Sequence, residues 1–391
     1  MSHSSFPSLA KTLPNDVANA VLIGRIWVPE EGPFLVKVSA TQTTDLSGLA
    51  QTSSDLMEID NVAARVIQHQ GKTWSTESLW ANTDPQNRDE KQAWFLAPTD
   101  LQAIKAAGVT FVASMLERVI EEQARGDAAK AESVRKAVID VMGDNLRNVK
   151  PGSAQAIKLK EVLVAQGVWS QYLEVGIGPD AEIFTKSQAM SAVGSGFDVG
   201  LHPGSSWNNP EPEIVLVINS KGDVVGAAMG NDVNLRDFEG RSALLLGKAK
   251  DNNASCAIGP FIRLFDGQYT IDSVRSTDLS MAVHGPEGFV MQGSSSLSQI
   301  SRDPLDLAAQ AIGPCHQYPD GLVLFLGTMF APTQDRHGPG QGFTHVVGDS
   351  VAITTPQLGT LFNRVSTSDQ APAWTYGIRA LMKDLAKRSA R

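Results

Sequence analysis

The residues best equipped for chemistry lie in one stretch, NNPEPEIVLVINSKGDVVGAAMGNDVNLRD, residues 208–237. An apolar run that opens with Glu211 and Glu213 is unusual, because acidic side chains are poor strand formers. Residues two apart in a strand point to the same face, so the two carboxylates aim at a common point. The connector NSKGD between IVLVI and VVGAAM reads as a hairpin turn. A turn centred on Lys221 sets Glu213 opposite Met229 and Glu211 opposite Asn231, which brings Asp232 beside the pair. Three carboxylates at one hairpin end repel one another unless a cation neutralises them. Oxygen-only ligands at this density suit a hard divalent ion, Mg2+ first, with Mn2+ or Ca2+ as alternatives. For the Glu-x-Glu pair taken alone, solvated acids at a hairpin end are the plainer reading.

The chain that must position these groups has 391 residues, enough for two domains and a sizeable core. A net charge of -9 argues against a general nucleic-acid binder. The two cysteines, Cys256 and Cys315, exclude a disulfide framework and lack the spacing of a zinc site. The N-terminal stretch shows no basic segment leading into an apolar core, and no apolar run approaches the ~20 residues that cross a bilayer. A cytoplasmic protein with no membrane and no nucleic-acid partner is expected.

AVLIGRIWV and PFLVKVSAT read as strands. From Thr99 to about residue 170 the texture is helical, with Thr99 or Asp100 as an N-cap and Val134, Val138 and Val141 at helical spacing. Short β-branched runs then continue to about residue 366, and AWTYGIRALMKDLAKRSAR closes the chain as a helix. The expected fold is α+β: an N-terminal α/β domain, residues 1–170, serving as lid or oligomerisation platform, and a mixed β-sandwich or roll, residues 171–391, that carries the site. The glycine-rich pieces at 192–200 and 336–343 lack the spacing of a phosphate-binding loop and read as loops.

Taken in order, the motifs resemble the fumarylacetoacetate hydrolase superfamily. They are Glu-x-Glu at 211 and 213, Gly230-Asn231-Asp232-Val233 with Arg236 and Asp237, Lys250 ahead of Cys256-Ala257-Ile258-Gly259-Pro260, and the run from Gly359 to Val365. The match covers roughly residues 175–366, and it implies the β-roll fold named above. It further implies that Glu211, Glu213 and Asp232 bind Mg2+, which chelates a 2-oxo acid and acidifies its C3 protons. By the same resemblance Arg236 contacts the substrate carboxylate, Thr360 hydrogen-bonds to it, and Lys250 stabilises an oxyanion. For Arg236 the plainer reading is an ion pair with Asp237. PDAEIFTKSQ carries over Phe184 and Lys186 and sets Glu182 nearby as a candidate base, or as a surface acid of the strand.

Many of the hydrolases carry a His-x-x-Glu dyad that activates water for C–C cleavage. Here the corresponding stretch, residues 108–117, keeps Glu117 but holds Ser114 at the histidine position. His202, His337 and His345 are loop histidines that would have to replace it, and His202 lies just upstream of the acidic pair with Ser205 and Ser206, which suit a sugar hydroxyl. One branch of the superfamily uses the same metal to dehydrate 2-keto-3-deoxypentonates, and GNDVNLRDFEG and GKAKDNNASCAIGPF look like that branch. The resemblance therefore implies a Mg2+-dependent dehydratase of a 2-keto-3-deoxypentonate of the D series, yielding 2,5-dioxopentanoate and acting as a homodimer or homotetramer. C–C hydrolysis of an acylpyruvate or a 2,4-diketo-3-deoxy sugar acid is the alternative, and a Schiff base through Lys250 is the rival mechanism.

Overall fold

The structure is a computed structural model that describes residues 6–125, 127, 130, 131, 149–165 and 169–390. Its centre is the strand Pro212–Ile218, apolar at successive positions because both of its faces are buried. Ile214, Leu216 and Ile218 enter a core shared with Met281, Ile353 and Leu361 of a five-stranded sheet. Val215 and Val217 point the other way, into a second core with Leu46, Leu56, Met57 and Val66. Burying such side chains is worth roughly 1.5–3 kcal/mol each, so the alternation fixes which face every neighbour takes. The expected α+β architecture with packed sheets is what the structure shows.

An eleven-stranded sheet runs through this centre. Leu22–Val28 pairs antiparallel with Cys256–Leu264, and Ala103–Gly108 lies parallel to Leu322–Phe325 and antiparallel to Glu182–Ser187. Residues 1–170 and 171–391 therefore share one sheet.

Two local expectations change. Ala103–Gly108 is a strand and the helix begins only at Val112, so Thr99 and Asp100 cap no helix there. Ile104 and Ala106 fill the second core, and that tertiary burial overrides the helix-like composition. Asp100 instead accepts hydrogen bonds from the Ser53 and Ser54 amides at 2.7 and 3.1 Å. The hairpin register is also one residue off: Glu213 faces Gly230 and Pro212 faces Asn231. A β-bulge between Val217 and Ile218 absorbs the odd residue near the turn.

The helices Val112–Gln123, Ala154–Ala165 and Gln171–Ile177 pack around a small core of their own that includes Met115, Val119, Leu163 and Leu173. Val134, Val138 and Val141 lie outside the described residues. Among the described residues no helix is long and apolar enough to cross a membrane.

Candidate metal and active site

Glu211, Glu213 and Asp232 converge where the central hairpin ends, each with an oxygen within 4.8 Å of the others. All three are at most 3% exposed. Parity explains the meeting: Glu213 shares a face with its cross-strand partner Gly230, and Asp232 lies two residues further along the same face. Gly230 is required there because the Phe325 ring and Val215 occupy the space a side chain would take. Glu213 accepts from the Gly327 amide at 2.7 Å and from the Thr328 hydroxyl at 3.4 Å.

Two buried lysines and one arginine answer these acids. Lys250 Nζ lies 2.9 Å from Glu211, 3.0 Å from Asp232 and 3.2 Å from Glu239. Lys186 Nζ is 2.8 Å from Asp232 and donates to the carbonyls of Val233 and Lys250. Arg118, from the helix Val112–Gln123, reaches Glu211 at 2.5 Å, Glu239 at 2.6 Å and Glu121 at 2.8 Å. Burial opposes the charge of Lys250, yet Asp232, Glu211 and Glu239 hold its pKa well above the usual amine range. Burial likewise opposes ionisation of Asp232, but Lys186 and Lys250 more than offset it and keep this carboxyl below its ordinary value. Glu213 is pushed far up, by burial first and then by Asp232 and Glu211.

The triad opens on a cavity of about 100 Å3, room for several waters or one compact ligand. Arg118, Tyr172, Glu182, Phe184, Glu239 and Lys250 also line it. Glu182 starts its strand opposite Gly108, and a Cβ on Gly108 would collide with the Glu182 carboxylate. Burial, then the charges of Glu239 and Glu211, raise the Glu182 pKa to about 7, against the pull of Arg118 and Lys250. Five lining carboxylates, Glu182, Glu211, Glu213, Asp232 and Glu239, thus face three cations, Arg118, Lys186 and Lys250. The acids outnumber the cations, and the all-oxygen donor set of the triad fits a hard divalent ion.

Other expected residues go elsewhere. Buried Arg236 does not line the cavity: its Nε donates to Asn209 Oδ1 at 2.6 Å, its Nη2 donates to the Pro332 carbonyl at 3.1 Å, and Glu121 lies 3.5 Å away. Asp237, its expected simple partner, binds the Ser205 hydroxyl and the Ser206 amide at 2.8 Å each. Glu117 approaches Arg236 at 3.7 Å and does not line the cavity. Thr360 donates to the Lys11 carbonyl at 2.9 Å, in the five-stranded sheet. His202 Nδ1 accepts from the Gly204 amide at 3.0 Å, and neither His202 nor Ser206 lines the cavity. His345 is buried against Asp349 at 2.7 Å. Ser114 does line the cavity, with its hydroxyl donating to the Thr328 carbonyl at 2.5 Å. Arg118, Glu239 and Tyr172 also line the cavity, and the sequence alone does not assign them to it. Arg118 follows Glu117 directly, and Glu239 closes the GNDVNLRDFE run, but neither position names its target.

No family model matches the chain. It is 29% identical over 196 residues, half of this chain, to a probable 2-keto-3-deoxyxylonate dehydratase of Haloferax volcanii. It is 29% identical over 184 residues, 47% of this chain, to a 2-dehydro-3-deoxy-D-arabinonate dehydratase of Saccharolobus solfataricus. The matches span 64% and 58% of those relatives' own lengths. Among solved structures, a 2-keto-3-deoxy-D-arabinonate dehydratase complexed with magnesium and 2,5-dioxopentanoate superposes with a TM-score of 0.60 at 18% identity, covering 88% of this chain and 99% of that one. A 5-carboxymethyl-2-hydroxymuconate delta-isomerase from Mycobacterium smegmatis superposes with a TM-score of 0.52 at 18% identity, covering 88% of this chain and 98% of that one. The chain shares the fold of these dehydratase and isomerase structures, and the resemblance carried by its motifs is borne out by curated relatives named as 2-keto-3-deoxypentonate dehydratases.

Proposed function

We propose that this protein is a divalent-metal-dependent hydro-lyase that converts a 2-keto-3-deoxypentonate, of the D series, to 2,5-dioxopentanoate and water. The observation that carries the reading is the convergence of Glu211, Glu213 and Asp232 on a cavity that Glu182 also lines. Glu211, Glu213 and Asp232 would hold Mg2+, with Mn2+ as a working substitute. When bound, the ion supplies Lewis acidity to a chelated 2-oxo acid and so weakens its C3–H bond.

The chain's own residues do the rest. Glu182, with a pKa near 7, can both take the C3 proton and return it near neutral pH. The Lys250 ammonium lines the cavity, where it would stabilise a developing enolate oxygen. Expulsion of the C4 hydroxyl consumes one proton and releases water to leave a C3=C4 double bond. Transfer of a C5 proton to C3 then gives the C4=C5 enol, and passage of its hydroxyl proton to C4 gives the aldehyde. Three carboxylates keep Lys250 charged, so it is no free amine, and borohydride with substrate should trap no adduct. Hydrolysis loses support because the Ser114 hydroxyl is spent on a carbonyl and His202 does not line the cavity. We further propose a cytoplasmic homodimer or homotetramer in which residues 1–170 cover the site and residues 171–391 hold the metal.

The test is an assay with racemic 2-keto-3-deoxypentonate and Mg2+, reading 2,5-dioxopentanoate through a coupling aldehyde dehydrogenase, with acetylpyruvate cleavage in parallel. EDTA-sensitive semialdehyde formation is expected. Cleavage of acetylpyruvate alone would overturn the dehydratase reading.

A further inference from the structure

A 2-oxo acid brings a full negative charge into a cavity lined by five carboxylates, and chelation to an ion uses only one of its carboxylate oxygens, so a cation on the wall beside the triad is needed for the other. Neither residue expected to do so is placed for it: Arg236 is buried against Asn209 and Pro332, and Thr360 is bonded to Lys11. Lys250 is shared among Glu211, Asp232 and Glu239, and Lys186 sits on Asp232. Arg118 is the one guanidinium that the described residues place on the cavity wall.

Its two ends differ. Nη1 is anchored by Glu121 at 2.8 Å and Glu239 at 2.6 Å. Nη2 has Glu211 at 2.5 Å, which is one of the three groups assigned to the metal. Engagement of Glu211 by a dication weakens its hold on Nη2 while Nη1 stays fixed. What remains is a guanidinium held in place through Nη1, with Nη2 turned to the triad and able to donate to a carboxylate there.

We propose that Arg118 binds the substrate's carboxylate and thereby selects 2-oxo acids over neutral 2-oxo compounds, a role that rests on the metal-dependent reading above. The cation thus comes from the helical cap rather than from the Arg236 helix.

The experiment titrates pyruvate and pyruvamide into wild-type, Arg118→Gln and Arg118→Lys protein by calorimetry, with Mg2+ and with EDTA, and titrates Mg2+ alone. Pyruvamide keeps both chelating oxygens and lacks the charge. The expected result is that, at saturating Mg2+, Arg118→Gln weakens pyruvate about tenfold or more relative to pyruvamide, the worth of a charge-assisted pair, while the Mg2+ titration reads separately how loss of the Glu211 partner moves metal affinity. Arg118→Lys should fall between, because it keeps the charge and loses the anchored guanidinium; if Arg118→Gln does not fold, the Lys variant decides by the same contrast. Equal weakening of pyruvate and pyruvamide, or unchanged pyruvate binding, overturns the assignment. Wild-type pyruvate binding that ignores EDTA would instead overturn the metal-dependent reading, and this one with it.

Discussion

The cavity is made by two regions built on different principles. At the sheet end, Glu211, Glu213, Asp232, Lys186 and Lys250 are at most 3% exposed; Glu213, Asp232 and Lys186 stand on strands, Glu211 directly precedes one, and Lys250 ends the short helix Leu246–Lys250. The helical cap has a small core of its own and leaves Ile157, Val162 and Val164 at least half exposed. Fewer apolar contacts hold the cap, so local opening costs less there than in the sheet. On the proposed reading, the sheet supplies fixed ligand geometry and the cap admits substrate. Groups that must not move relative to one another sit close in sequence on paired strands, whereas Arg118 arrives from 93 residues before Glu211.

That comparison can be broken in several places. Glu213→Gln should cost at least about a thousandfold in kcat, since several kcal/mol of charge stabilisation goes with the ion. In EDTA, however, the same variant should be at least as stable as wild type, because the buried carboxyl it replaces already resists ionisation. Thermal melts with and without Mg2+ check both halves: the ion should raise the wild-type Tm and leave the variant's unmoved.

Glu182→Gln should lower kcat by roughly a hundredfold or more while Mg2+ still binds, as expected for loss of an acid–base group. The group also sets a pH dependence. Its folded pKa, about 7, lies above its ordinary value of 4.5, so the folded state holds its proton longer. The stability this contributes is complete below the lower value and is lost as pH rises through the upper one. Urea midpoints in EDTA should fall between about pH 5 and about pH 8, with a smaller fall in Glu182→Gln. An unchanged slope would mean that Glu182 faces water rather than its acidic neighbours.

Lys250→Met should destabilise the metal-free protein by about 3–5 kcal/mol, because it strips the shared cation from three buried carboxylates. Mg2+ should restore part of that loss in denaturant titrations. The smallest effect is expected at Thr360→Ala, about 1 kcal/mol in stability from the hydrogen bond to Lys11, with KM within about twofold of wild type. A large rise in KM would return Thr360 to the substrate.

These differences also show what the chain discloses in its order of residues. The triad was legible because strand periodicity converts a spacing of two into a shared direction, and a hairpin turn then supplies the third acid. Lys250 and Glu182 were legible through motifs, and both line the cavity. Arg236 and Thr360 keep their motif positions, but what those positions touch depends on how loops and the second sheet close, and here they meet Asn209 and Lys11. Arg118 carries no mark, because a helix face records which side is apolar and not which distant carboxylates it will meet. The strand Ala103–Gly108 was hidden for a related reason: its alanines and lysine suit a helix, and only its place between Leu322–Phe325 and Glu182–Ser187 makes it extended.

The bulge between Val217 and Ile218 has a consequence for descent with change. It lies at the far end of the hairpin from Glu213 and takes up the mismatch between the two strands before the pairing reaches the acids. Length variation in the Asn219–Asp223 turn is thereby insulated from the ligands, since one residue more or fewer can be accommodated where the ladder is already irregular. A one-residue insertion in the turn should therefore leave Glu211, Glu213 and Asp232 together, with Mg2+ binding kept.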